Sequence, residues 1–203
     1  PIFHLNQQVE SIKKNDRDEW IVETNSNKKI QAKCIIIAAG SGSFVPRKPP
    51  ISGIEKYENI NIFYSIRDKS ILKNKNLLIA GGGDSALDWT NELSKIANVT
   101  LMHRRKEFRA APDSVSKMID LENQNKIKFI LGQIKNVKEG SEGTIKVIYN
   151  NENLTNDLEV DFLLPFFGLK MELGPIANWN LKLENDLIKV DTEKFETSIS
   201  SIF

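Results

Sequence analysis

The stretch Asn76–Arg109 constrains this chain more than any other. Asn76-Leu-Leu-Ile-Ala80 is an apolar run of strand length, Gly81-Gly82-Gly83 interrupts it, and the ten residues Asp84 to Leu93 have helix-forming composition. Val99-Thr-Leu-Met102 resumes strand chemistry and runs into His103, Arg104, Arg105 and, one helical turn on, Arg109. A strand, a glycine turn, a helix and a second strand in this order make the pattern of a βαβ unit that takes a dinucleotide by its phosphates.

The spacing gives each residue a role. In Gly-x-Gly-x-x-Ala, Gly81 makes the tight turn, Gly83 lets the main chain touch a pyrophosphate, and Ala86 lets the helix pack closely on the strand. Gly81, Gly82, Gly83, Asp84, Ser85 and Ala86 are thus the candidate phosphate-binding residues, where free N–H groups and the positive end of a helix meet an anion. An acid at a pyrophosphate-facing helix start would repel the ligand, so Asp84 is expected as an N-cap with its side chain turned aside.

About 20 residues further on, an NAD-binding unit places an acid that accepts hydrogen bonds from the ribose 2′-hydroxyl. Here His103, Arg104, Arg105 and Arg109 stand instead. A phosphate monoester carries about −1.5 to −2 charges at neutral pH, so a carboxylate would repel it and guanidinium groups would clamp it. The pattern therefore favours NADPH over NADH; the competing reading of the cluster is a solvated basic face. His103 is expected to pack or to stack on adenine, not to act as an acid or base.

Around this unit the sequence reads as mixed α/β. Gln8–Ile12, Glu19–Thr24 and Lys29–Ala32 are short β-type segments separated by Asn/Asp/Ser-rich loops, which predicts a three-stranded antiparallel meander. Cys34-Ile-Ile-Ile-Ala-Ala-Gly40 is apolar throughout and predicts a strand buried on both faces, with Cys34 a buried small hydrophobe. Its small end either approaches a ligand or makes a plain turn. Three prolines in Pro46–Pro50 predict a stiff extended linker and a domain boundary. Tyr57–Leu72 has no usable period.

Downstream, the pattern predicts a helix over Asp113–Asn123 after Pro112, a strand at Ile127–Leu131, and a hairpin of Ile134–Lys138 with Thr144–Tyr149. Asp161–Gly168 reads as another buried strand, in which Pro165 requires either an edge position or an end of pairing. Phe166, Phe167, Met171 and Trp179 are expected in the core or at an interface, and Leu187–Val190 as a late strand.

Composition narrows the function classes. With 28 basic and 27 acidic residues among 203, the charge of +1 lacks the basic excess of a nucleic-acid binder, so any electropositive site is local. A single cysteine excludes an intrachain disulfide and a Cys-x-x-Cys redox pair. No run approaches the roughly 18 to 20 apolar residues of a membrane span, and a cytoplasmic setting is the expectation. The opening at Pro1 and the apolar close at Phe203 read as cuts within a longer protein.

Ile36–Gly40, Gly81-Gly-Gly-Asp-Ser-Ala-Leu-Asp-Trp89, His103–Ala110, Leu173–Trp179 and Glu196–Phe203 together resemble the thioredoxin-reductase-like flavoproteins, in particular the ferredoxin–NADP reductases of thioredoxin-reductase type. The resemblance runs nearly end to end. It implies a Rossmann-like NADPH-binding domain, with a central parallel sheet and an antiparallel meander, inserted in an FAD-binding domain that is only partial here. Residues 1–50 and 169–203 would then belong to the FAD domain and 51–168 to the NADPH domain. Ala39 and Gly40 would be flavin-side contacts, ferredoxin or flavodoxin the electron partner, and a homodimer the assembly. Thioredoxin reductases carry Cys-x-x-Cys a short way before the NADPH glycines; Ile62–Lys69 has no cysteine, so the resemblance implies transfer between nicotinamide and flavin without a disulfide relay. A fragment of a thioredoxin reductase and a non-catalytic nucleotide-binding module are the alternatives.

Overall fold

The computed structural model describes residues 1–40, 42–152 and 154–203. In chain order the strands are β1 (Val9–Lys14), β2 (Trp20–Thr24), β3 (Lys29–Ala32), β4 (Ser43–Pro46) and β5 (Asn76–Ala80). Helix α1 (Asp84–Leu93), β6 (Asn98–His103), helix α2 (Pro112–Asn123) and β7 (Ile127–Leu131) follow. Then come β8 (Gln133–Glu139), β9 (Ile145–Asn151), β10 (Leu154–Val160), β11 (Phe162–Pro165), β12 (Leu169–Glu172), β13 (Leu183–Glu184) and β14 (Leu187–Ile188). The chain divides into two compact units, Pro1–Val45 with Lys170–Phe203, and Pro46–Leu169.

The second unit has three layers, and β5 shows why. Leu77, Leu78 and Ile79 are all at most 1% exposed, because a parallel strand covered on both faces has no wet side. Side chains alternate across a strand. Leu78 and Ala80 therefore join Met102 and Ile130 in a cluster with Val137, Ile145, Val147 and Val160 of the antiparallel sheet β10-β9-β8. Leu77 and Ile79 point the other way, to Ala86, Leu87 and Leu93 of α1 and Met118 of α2. Burying each Leu or Ile contributes about 1.5–3 kcal/mol, so this shared strand anchors both outer layers. The parallel sheet runs β11-β5-β6-β7.

Pro165 lies on β11, the edge strand of that sheet, opposite Ala80. Phe166 donates its N–H to Ala80 O (2.8 Å), whereas Leu163 donates to Asn61 O (2.8 Å) on the other side. By alternation, the N–H that Pro165 lacks would have pointed off the sheet. The proline costs no ladder bond.

The first unit holds the meander β1-β2-β3, with Trp20, Trp179, Leu181 and Ile202 as its core. Trp179 donates from Nε1 to Glu10 O (3.3 Å), so its indole is both packed and satisfied.

Several expectations are corrected. Cys34–Gly40 is not a buried strand: Ile35 and Ile37 bond only to the 201–203 segment, Ile36 is 74% exposed, and Cys34 is exposed. An apolar run is buried only where another element covers it, and among the described residues nothing covers Ile36. Phe167 and Met171 are also exposed, whereas Phe166 packs on the helix-side cluster and Trp179 is buried. The late strand Leu187–Val190 shrinks to a two-residue pairing of β14 with β13, plus a bridge from Val190 to Thr197. β10 had no counterpart in the sequence reading.

Candidate functional site

The glycine turn is built by contact. A Cβ on Gly81 would stand 2.5 Å from Phe166 O and 2.9 Å from Ala86 Cβ, and its φ is +156°. A Cβ on Gly82 would run into the His103 ring. At Gly83 a Cβ would meet nothing within 4 Å. The first two glycines thus let strand, helix and loop close on one another, and the third leaves open space beside the start of α1.

Asp84 is not the N-cap. Gly83 occupies that position without a side-chain cap, and Asp84 is the first helical residue. Its Oδ1 accepts a hydrogen bond from Ala111 N (2.7 Å), a donor in the loop before α2. The carboxylate is turned aside, as its chemistry requires, but it ties the start of α1 to the loop before α2 instead of capping its own helix.

β6 delivers His103 to the same place. Its ring stacks on Phe108 at 5.4 Å between centroids, with 28° between planes. Burial pushes the His103 imidazole below its usual pKa; a hydrogen bond with the Glu107 backbone opposes it, and the charges of Arg104, Arg105 and Arg109 add smaller downward pushes. The ring is therefore neutral near pH 7 and adds no charge of its own. Arg109 donates its N–H to Gly82 O (2.7 Å), which pins the arginine loop to the glycine turn.

These residues line one cavity of about 820 Å³, within the range of small-molecule and cofactor sites. Gly81, Gly82, Gly83, His103, Arg104, Arg105 and Arg109 all face it. Asp84 and Ser85 sit exposed on the first turn of α1, and Ala86 is fully buried beneath it; none of the three is in the lining. In the first unit, Ala39 lines a separate groove of about 460 Å³ with Ile35–Ile37 and Trp179, and Gly40 is an exposed left-handed turn at φ +61°. The sequence reading missed Arg47, Lys48, Gly132, Gln133 and the Phe166–Gly168 segment, which complete the 820 Å³ cavity. The one signal for them was a basic pair set among prolines.

The fit to a dinucleotide can be judged from this geometry. Gly83 leaves room at a helix start, where N–H groups are free to bind an anion. Arg104, Arg105 and Arg109 are exposed and, among the described residues, make no ion pair. Open space, backbone donors and unneutralised guanidinium groups suit a phosphate-rich ligand.

Ferredoxin–NADP reductase of Parvibaculum lavamentivorans is 48% identical over 206 residues, and that of Rickettsia rickettsii 45%. Each alignment covers all of this chain and 60% of the relative, so the chain spans about three fifths of their length. Among solved structures, thioredoxin reductase of Lactococcus lactis matches with TM-score 0.75 and 25% identity over 97% of this chain and 64% of that one. Bacillithiol disulfide reductase of Staphylococcus aureus matches with TM-score 0.77 over 97% of this chain and 60% of that one, at 18% identity, a likeness of fold alone. The family model for pyridine nucleotide-disulphide oxidoreductases matches residues 2–203, and with the glycine turn and α/β layers already in place, the chain belongs to that family.

Proposed function

We propose that the second unit binds NADPH and that the full-length protein is an FAD-dependent ferredoxin–NADP reductase. In domain terms, the NADPH-binding domain is the second unit, Pro46–Leu169, which begins a few residues before the expected 51–168, and Pro1–Val45 and Lys170–Phe203 are parts of an FAD-binding domain. The observation that carries the reading is the shared cavity, in which the open face at Gly83 and the guanidinium groups of Arg104, Arg105 and Arg109 come together. The names of the relatives at 45–48% identity support the choice of ferredoxin, and flavodoxin is the alternative one-electron acceptor.

In this reading the glycine turn takes the diphosphate, the arginines take the 2′-phosphate, and the neutral His103 ring braces the turn. NADPH, when bound, supplies a hydride. The overall reaction oxidises one NADPH and reduces two one-electron acceptors, and no side chain of this chain need act as acid, base or nucleophile. Both α-helices of the described residues lie in the second unit, and the first carries a short 3₁₀ turn at Gly174–Asn178. A homodimer in the cytoplasm completes the proposal.

Calorimetry with NADPH and NADH at two salt concentrations tests the binding half, and equal affinities would overturn the arginine assignment. Flavin absorbance and NADPH-dependent ferredoxin reduction by the full-length protein test the other half. Reduction of thioredoxin but not ferredoxin would sink it.

A further inference from the structure

We infer that Arg47 is a ligand for the dinucleotide's diphosphate, in the same cavity as the 2′-phosphate arginines. The inference rests on the NADPH reading and names a residue outside the glycine and arginine motifs. Its starting point is an electrostatic shortfall. The diphosphate is dianionic at neutral pH, yet the glycine turn offers it only backbone dipoles, and the nearest charged side chain on α1 is the acid Asp84. Arg104, Arg105 and Arg109 follow β6, where a 2′-phosphate is taken.

The remaining cations in the lining are Arg47 and Lys48. Lys48 is already neutralised: its Nζ lies 2.7 Å from Glu58 Oε2, and Glu58 also accepts from Tyr64 OH at 2.8 Å. The hydrogen bond and charge of Lys48 hold the Glu58 carboxyl below its usual pKa, so this pair is formed at neutral pH. Arg47 has no carboxylate partner among the described residues. Glu107 is the one carboxylate in the lining.

Position comes from a chain of backbone contacts. Phe166 O sits against Gly81, and Phe166 N is bonded to Ala80 O, so the end of β11 is fixed beside the glycine turn. Gly168, at φ +89°, then turns its carbonyl to accept the Arg47 N–H at 2.9 Å. Arg47 also donates from Nε to Leu169 O at 3.3 Å. That bond uses one donor of the guanidinium, and among the described residues the terminal N–H groups, set in the fork that suits a phosphate, have no other partner. Arg47 is thus held, through two carbonyls, on the segment that abuts the turn.

The test is Arg47→Met, which keeps the length and removes the charge, with Arg47→Lys alongside it. NADPH and NADH affinities are measured by calorimetry on the 203-residue chain, with urea midpoints as a folding control. Both nucleotides carry the diphosphate and only one carries the 2′-phosphate. The expected result is a roughly tenfold loss for each nucleotide in Arg47→Met, an unchanged NADPH-to-NADH ratio, and partial recovery in Arg47→Lys. Unchanged affinities in a folded Arg47→Met chain would overturn the inference. A loss confined to NADPH would overturn it too, by moving Arg47 into the 2′-phosphate clamp. Equal NADPH and NADH affinities in the unaltered chain would instead sink the arginine-cluster reading, and the NADH comparison would still decide Arg47.

Discussion

Two alanine substitutions two residues apart should have opposite effects. At Gly81 the added methyl meets Phe166 O at 2.5 Å and Ala86 Cβ at 2.9 Å. Both neighbours are immobile: one is backbone bonded into β5, the other a fully buried residue of α1. Overpacking of this kind costs about 1–3 kcal/mol, and a backbone at φ +156° adds about 1–3 kcal/mol for any residue with a Cβ. Gly81→Ala should therefore destabilise the second unit by about 2–6 kcal/mol. With a urea slope of about 1–3 kcal/mol/M, its midpoint should fall by roughly 0.7 M or more. Gly83 has φ −104° and free space, so Gly83→Ala meets no clash and should cost only about 1 kcal/mol or less, the exchange of a glycine for an alanine at the N-cap of α1. Its methyl group would occupy the face offered to a phosphate, and NADPH affinity should fall by tenfold or more. Urea titrations followed by circular dichroism, paired with NADPH calorimetry, read both effects. Equal loss of stability in the two variants, or full NADPH binding by Gly83→Ala, would refute the division of labour within the turn.

Other outcomes follow from the same contacts. Arg104→Met or Arg105→Met should lower NADPH affinity about tenfold and leave NADH affinity nearly unchanged, so that the ratio collapses in a competition assay. Gly82→Ala should be destabilising alone and partly rescued by His103→Ala, a double-mutant cycle with non-additivity of about 1 kcal/mol or more, because the added methyl runs into that ring. For Asp161, burial opposes ionisation, but the Asn76 N–H at 2.8 Å and Lys75 at 3.0 Å hold its carboxyl below the usual pKa. Its stabilisation should be present above the unfolded value near 3.9 and be lost as pH falls through the lower folded value. Asp161→Asn should thus cost about 1 kcal/mol at pH 7 and flatten the acid limb of the stability curve, measured by urea midpoints.

The central βαβ unit was legible because its signals are local. The expected bounds of β5, α1 and β7 match those observed, and each is set by an apolar period broken by glycine or by polar residues. Features that depend on distant partners were not legible. Asp84 carries the chemistry of an N-cap, yet its partner Ala111 is 27 residues away. The apolar run from Cys34 promised burial, but burial needs a covering element and Ile36 has none among the described residues. β10 was invisible for the opposite reason: Leu154 to Asp157 are all exposed, so no hydrophobic alternation marks the strand. Arg47 read only as part of a proline linker, because the 168–169 carbonyls that hold it lie about 120 residues away in the chain.

The two ties across the glycine turn also govern how this region moves. Arg109 is bonded to Gly82, and Ala111 is bonded to Asp84. The loop from His103 to Ala111 therefore cannot lift from the turn without breaking both bonds and unstacking His103 from Phe108. Loop and turn should open as one cooperative unit, with their amides exchanging hydrogen at a common rate. A nucleotide that engages either half should then slow exchange in both.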